Sequence, residues 1–288
     1  VGYLFILPWL IGMIWFDAIP FVTNLYIGAT DYSVGSVEQA SWVGLQNYVD
    51  LFTKDELFLK SLSNTVYYIV LSVPLTLLLA FTIALLLNTR IRFMTLFRTA
   101  YYIPSVIPVV AASVMFLWIF NARAGAVNQV LSMFGVAPIR WLTSPDFVKI
   151  TLVIVSLWGF GAQMVIFLAA LQGIPEHLYE AVAIDGGGLG ARLRYVTLPL
   201  MTPTIFFNML VGLISSFQVF ASAYIILGPN GGPLQSGLFY MMHTYNNAFR
   251  YFQMGYAAAM SFILFLIILV FTLMLIWTSK RWVYYGDE

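Results

Sequence analysis

The chain has 288 residues, of which 61% are hydrophobic and 9% charged, with a formal net charge of +1 and a mean hydropathy of +0.89. Soluble domains carry about 25% charged residues, so water alone cannot solvate this surface, and near-neutrality offers no electrostatic case for binding nucleic acid. With no cysteine, a disulfide framework and a thiolate metal site are both excluded.

The chain begins at Val1, which predicts that the native N-terminus lies upstream. The first apolar run, 2–27, lacks a basic n-region and is too long for a signal-peptide core, so it reads as a membrane span. It is interrupted by Asp17, expected near the external end as an interfacial residue. A helix needs ~20 apolar residues to cross the hydrocarbon core. Further spans of that length follow at 62–87, 100–120, 151–171, 203–227 and 255–279, none of them containing Asp, Glu, Lys or Arg. Such continuous runs satisfy their backbone within helices and lack the alternation of barrel strands. The expected fold is all-α and integral to the membrane: six transmembrane helices in one domain, 1–288, with no internal repeat. Pro74, Pro104 and Pro108 are candidate kinks.

Basic residues set the direction. Arg90, Arg92 and Arg98 lie between spans two and three, Arg192 and Arg194 between four and five, and Lys280 and Arg281 after six. The opposite side carries Lys54, Lys60, Arg123, Arg140, Lys149 and Arg250 over longer loops, offset by Asp31, Glu38, Asp50, Asp55 and Glu56. Both termini and the loop between spans four and five are therefore expected in the cytoplasm.

Absences narrow the function. None of the four lysines follows a glycine, so no Walker A loop exists. His177 and His243 are too few and too far apart for a zinc site, have no Ser or Asp partner by motif, and are expected at a surface or interface. Ion-driven carriers place ionisable groups inside the bundle, and only Asp17 is available. The energy source should lie elsewhere.

Residues 174–199 break the apolar pattern with Glu176, Glu180, Asp185, Arg192 and Arg194 around the triplet Gly186-Gly187-Gly188. Pro175 and Glu176 suit a helix start, and Leu178, Ala181 and Val182 share one face at i, i+3, i+4. The glycines predict a break, with a second short helix from Leu189 to Val196 ended by Leu198-Pro199. Interfacial helices are typically rich in Lys and Arg with large apolar residues. This segment is acidic in its first half and small-residued, as a protein-docking element would be.

Glu180-Ala181-Val182, then Gly186, then Val196-Thr197-Leu198-Pro199 resembles the EAA signature of ABC-importer permeases, with complete spacing. Val182 and Val196 depart conservatively from its alanine and isoleucine. Val43-Gly44-Leu45-Gln46-Asn47-Tyr48, the Gly228–Pro233 turn and the stretch from Ala248 to Ala259 resemble further motifs of the carbohydrate-uptake subfamily, in the subunit similar to the first membrane protein of maltose-type transporters. The resemblance implies a prokaryotic inner-membrane permease without catalytic residues or metal. It implies a second permease subunit, two cytoplasmic ATPase subunits carrying ATP and Mg, and an extracytoplasmic sugar-binding protein. The loop would be the coupling helix, with Glu180, Ala181, Val182, Asp185, Gly186, Leu198 and Pro199 at the ATPase contact.

A sugar site combines aromatic faces with amides and hydroxyls. Span four offers Trp158, Phe160 and Gln163; span five offers Phe217, Gln218 and Ser222. The other reading of these polar groups is interhelical hydrogen bonding. Two alternative functions stay open at this point: an ABC importer for a non-sugar solute such as glycerol phosphate, which would want a basic residue in its path, and a secondary carrier or scaffold, which would have no use for the coupling signature.

Overall fold

The computed structural model describes residues 2–35, 40–89 and 92–285, with side chains from residue 5 onward. Glu38 and Arg90, used in the charge count above, lie outside the described residues. All regular elements among the described residues are helical. In chain order they are α1 (Gly2–Met13), a π turn (Ile14–Ala18), α2 (Ile19–Gly28), α3 (Gln46–Thr53), α4 (Glu56–Leu87), α5 (Met94–Val106), α6 (Val109–Ile119), α7 (Ala126–Met133), α8 (Pro145–Leu157), α9 (Gly161–Gln172), α10 (Glu176–Ile184), α11 (Leu189–Arg192), a second π turn (Leu193–Thr197), α12 (Leu198–Phe217), α13 (Ala221–Leu227), α14 (Tyr240–Phe249) and α15 (Met254–Ser279).

Among the described residues, four helical stretches are long and apolar enough to cross a membrane, and the count reaches six if each of two bent pairs is one span. The pairs are α5 with α6, bent by 96°, and α8 with α9, bent by 47°. Thus the expected spans 100–120 and 151–171 are not straight rods. The first bend falls at Ile107-Pro108, where both residues are extended because a residue before proline avoids the helical region. Pro74, by contrast, sits inside the uninterrupted α4. The fifth expected span is also interrupted, at Gln218 to Phe220 between α12 and α13.

α4 is the central helix, packing against α8, α9, α12 and α14. It begins six residues earlier than the apolar run suggests, because Asp55 caps it by accepting from the N–H groups of Leu57 and Phe58. Ser61, Thr65, Ser72, Ala80 and Ala84 are buried along it, and such small residues let helix backbones approach closely in a membrane.

Both π turns precede a proline. Ile19 N–H bonds to Ile14 O ahead of Pro20, and Leu198 N–H to Leu193 O ahead of Pro199. A proline lacks the N–H that an α-turn would use, and one wider turn keeps the helix going around that gap. Leu198-Pro199 therefore does not end the second short helix as expected; the chain stays helical from Leu189 to Phe217.

α2 runs along α15, with Phe21 against Phe262 and Phe265 and Asn24 donating to Ala258 O. Gly255 at the start of α15 admits no side chain, since a Cβ would collide with the Thr30 carbonyl. Asn47, from the Val43–Tyr48 motif, ties this corner together by donating to Gly28 O and Thr30 O. Asp17, in the π turn before α2, is exposed on this chain.

Candidate functional site

The interruptions in three apolar segments converge. Ser105 and Ile107 beside the first bend, Trp158 and Gly159 at the second and Ser222 just past the third line one cavity of about 210 Å³, together with Tyr68, Ser113 and Phe116. A neighbouring cavity of about 130 Å³ is lined by Tyr68, Ser72, Thr76, Ser156, Gln163, Asn208, Gly212, Ser215 and Ser216. Tyr68, Ser156 and Gly159 belong to both. Irregular backbone at membrane depth is tolerated where it lines a cavity, and transporters place binding sites at such helix breaks.

Every polar side chain lining the two cavities is uncharged: hydroxyls, amides and the Trp158 indole. Ser105, Ser113 and Ser156 spend their hydroxyl protons on carbonyls of their own helices, and Asn208 donates to Thr204 O. Gln163 and Ser72 differ: Gln163 Oε1 and Ser72 Oγ are both buried with no hydrogen-bond partner in the chain, and the Gln163 oxygen can only accept. A buried acceptor left unmatched costs about 1–3 kcal/mol, so this oxygen suits an incoming hydroxyl donor.

Of the six residues expected at a sugar site, Trp158, Gln163 and Ser222 line these cavities. Phe160 instead lies against Tyr101, Phe217 is buried against Phe271, and Gln218 is exposed at the end of α12. The sequence reading passed over the contribution of α4. Tyr68, Ser72 and Thr76 recur at i, i+4, i+8, and Asn208, Gly212 and Ser216 do the same on α12. That helical spacing of small polar residues was the available signal.

The segment between the fourth and fifth apolar runs folds as helix, glycine turn and helix. α10 closes with Gly187 N–H on Val182 O and Gly186 N–H on Ala183 O, which puts Gly186 at φ +77°. No atom lies near a Cβ built on Gly186, so conformation, not space, demands glycine there. Leu178, Tyr179 and Val182 turn inward, and Tyr179 Oη meets Thr197 Oγ1 at 3.1 Å to brace the two arms. Glu180, Ala181, Asp185 and Gly186 are exposed, flanked by Ile184 and Leu189 at 85% and 84% exposure. Leu198 is at the surface and Pro199 half-buried.

A second polar cluster lies at the other end of α4. Asp55 Oδ2 accepts from His243 Nε2 and from Tyr256 Oη, both at 2.7 Å, while Oδ1 caps α4. Burial opposes the charge of Asp55, but the hydrogen bonds from His243 and Tyr256, the imidazole's charge and the Leu57 N–H outweigh it and hold the carboxyl below its usual value. His243 is thus not at a surface, as its sequence context suggested, but buried and paired with a carboxylate 188 residues away. His177 is exposed.

Helices broken around an uncharged polar cavity, with an exposed loop at one end of the bundle, define a membrane permease of the transporter class. The chain belongs to the family described as binding-protein-dependent transport system inner membrane component, which it matches over residues 56–284. It is 40% identical to the probable ABC transporter permease protein YesP of Bacillus subtilis, over 100% of this chain and 93% of that one. It is 32% identical to the lactose transport system permease protein LacF of Rhizobium radiobacter, over 97% and 94%. Its fold matches a chain of a bacterial alginate ABC transporter, crystallised with an alginate pentasaccharide-bound periplasmic protein, at a TM-score of 0.86 and 22% identity over 99% and 96%. A protein of this family is the multi-pass inner-membrane part of a system that works with a binding protein, and ATP hydrolysis is done by partner subunits.

Proposed function

We propose that this chain forms half of the translocation path of an ATP-driven importer of uncharged sugars. The observation that carries this reading is the partnerless Gln163 oxygen in a cavity lined by hydroxyls, amides and the Tyr68 ring, next to a second cavity lined by Trp158. Sugars match such a lining: their hydroxyls both donate and accept, and their C–H faces lie on aromatic rings. The lactose permease relative supports the substrate class. No cationic side chain lines either cavity, which weighs against phosphate esters and acidic sugars.

In this reading, segment 174–199 faces the cytoplasm, as do both termini. Glu180, Ala181, Val182, Asp185, Gly186, Leu198 and Pro199 form the contact with one of two ATPase subunits, which hold ATP and Mg. A second, related permease completes the path, and the binding protein delivers sugar on the far side. The continuous helix from Leu189 to Phe217 supports this mechanism. A push on the loop reaches the Ser215–Ser216 wall of the cavity along one rod, without a hinge at Pro199.

The test is uptake into proteoliposomes by the assembled complex, comparing lactose and other neutral disaccharides with uronic-acid oligosaccharides of the same length. Neutral sugars should be taken up in an ATP-dependent way, and Gln163→Leu should slow uptake severalfold, as expected for a lost hydrogen bond of about 0.5–1.5 kcal/mol. Uptake of uronates in preference to neutral sugars would overturn the reading.

A further inference from the structure

Four aromatic rings form a connected row between the external surface and the break in the fifth apolar segment. Phe249, at the end of α14, is 56% exposed. Its ring lies 4.9 Å from Tyr245, which lies 4.7 Å from Phe220 at the break. Tyr224 flanks both, 5.4 Å from Tyr245 and 5.2 Å from Phe220. Two residues beyond Phe220, Ser222 lines the larger cavity. The row therefore begins at an exposed ring and ends two residues along the chain from a cavity-lining serine.

The surroundings hold this row in place. The opposite face of α14 is buried, with His243 on Asp55 and Asn247 donating to His243 O. Asn246 donates to Pro229 O, and Arg250 beside Phe249 donates to Asn230 in the glycine-rich turn. α14 is thus fixed on one side and presents its rings on the other, where Phe220, Tyr224 and Tyr245 are each only half-buried. A purely structural aromatic cluster has no need to leave its rings partly open or to continue to an exposed terminal phenylalanine.

We infer that Phe249, Tyr245, Tyr224 and Phe220 form an entry track for sugar, on which saccharide C–H faces step from the external mouth to the cavity. The inference rests on the sugar-import reading above. The negative face of an aromatic ring attracts the positive C–H edge of a sugar without demanding one fixed orientation. Successive rings about one ring-width apart offer a series of similar, weak sites. Weakness is required, because a path must bind well enough to admit the solute and poorly enough to release it.

The track predicts a dependence on the ring and not on the tyrosine hydroxyl. In the assembled complex with its loaded binding protein, sugar moved per ATP hydrolysed should be measured for wild type, Tyr245→Phe, Tyr245→Leu and Phe249→Leu, using a neutral labelled sugar that wild type takes up. Tyr245→Phe should match wild type. The two leucine variants keep apolar volume and should assemble and hydrolyse ATP normally, but move roughly threefold to tenfold less sugar per ATP, the equivalent of one or two lost ring contacts. Unchanged sugar per ATP in both leucine variants would overturn the track, as would leucine variants that fail to assemble, which would make the row a packing element. A wild-type complex that moves no sugar would sink the preceding proposal itself, a result distinct from either.

Discussion

Asp55 provides the sharpest test of how the end of the bundle at α14 is held. It joins α4, α14 and α15 through hydrogen bonds from Leu57, Phe58, His243 and Tyr256, and its side chain is only 13% exposed. Asp55→Ala removes a helix cap worth about 0.5–2 kcal/mol. It also leaves the buried His243 donor and the half-buried Tyr256 donor unmatched, at about 1–3 kcal/mol each. Taken at the low ends, the loss is about 2.5 kcal/mol, or roughly sixtyfold more frequent local opening of α14. The chain has no cysteine, so Thr244→Cys, at a site 4% exposed, can report that opening alone. Maleimide labelling of Thr244→Cys should be slow, and faster by roughly the sixtyfold worked above when Asp55→Ala is added. Asp55→Asn should fall between, because its Oδ1 can still cap α4. Equal labelling rates with and without Asp55 would show that the cluster bears no stability and that the reasoning from its geometry is wrong.

Two further outcomes are expected. The ratio of labelling rates between Asp55→Ala and Asp55, in which the pH dependence of the thiolate cancels, should depend on pH with a definite sign. The folded carboxyl titrates below its ordinary 3.8, so its stabilisation is present above that value and is lost as pH falls through the lower folded value. The carboxylate's contribution to that ratio should therefore persist from pH 7 to about 5 and be lost only in acid below about 3.8, and a collapse already at pH 6 would assign the effect to another group. In the segment 174–199, proposed to couple to the ATPase, Gly186→Val at φ +77° meets no neighbour but forces a β-branched residue into a left-handed conformation, at roughly 1–2 kcal/mol or more. Membrane expression should be near normal while stimulation of ATP hydrolysis by loaded binding protein is lost, and full stimulation would show the segment to be a mere connector.

Much of this protein is written in local pattern. Five charge-free runs announced apolar helices because a bilayer forces each backbone to satisfy itself within its own segment. The Glu180–Pro199 spacing was legible for a related reason: a cap at Gly186 and the helices beside it depend on residues only a few positions apart. Even the wall of the cavity left a trace, in Tyr68, Ser72 and Thr76 at successive turns of α4. What the residues could not disclose was which faces meet. Gln163 and Gln218 look alike in sequence, yet the bend between α8 and α9 turns one into a cavity while the end of α12 leaves the other exposed. His243 had no visible partner because Asp55 is 188 positions away, and only the packing of α14 on α4 brings them to 2.7 Å. The row from Phe249 to Phe220 likewise exists only once α14 lies beside the break at Phe220. Periodicity along a chain records what one helix needs from its surroundings, whereas contacts between helices depend on where each one breaks and turns, and those angles are settled by packing.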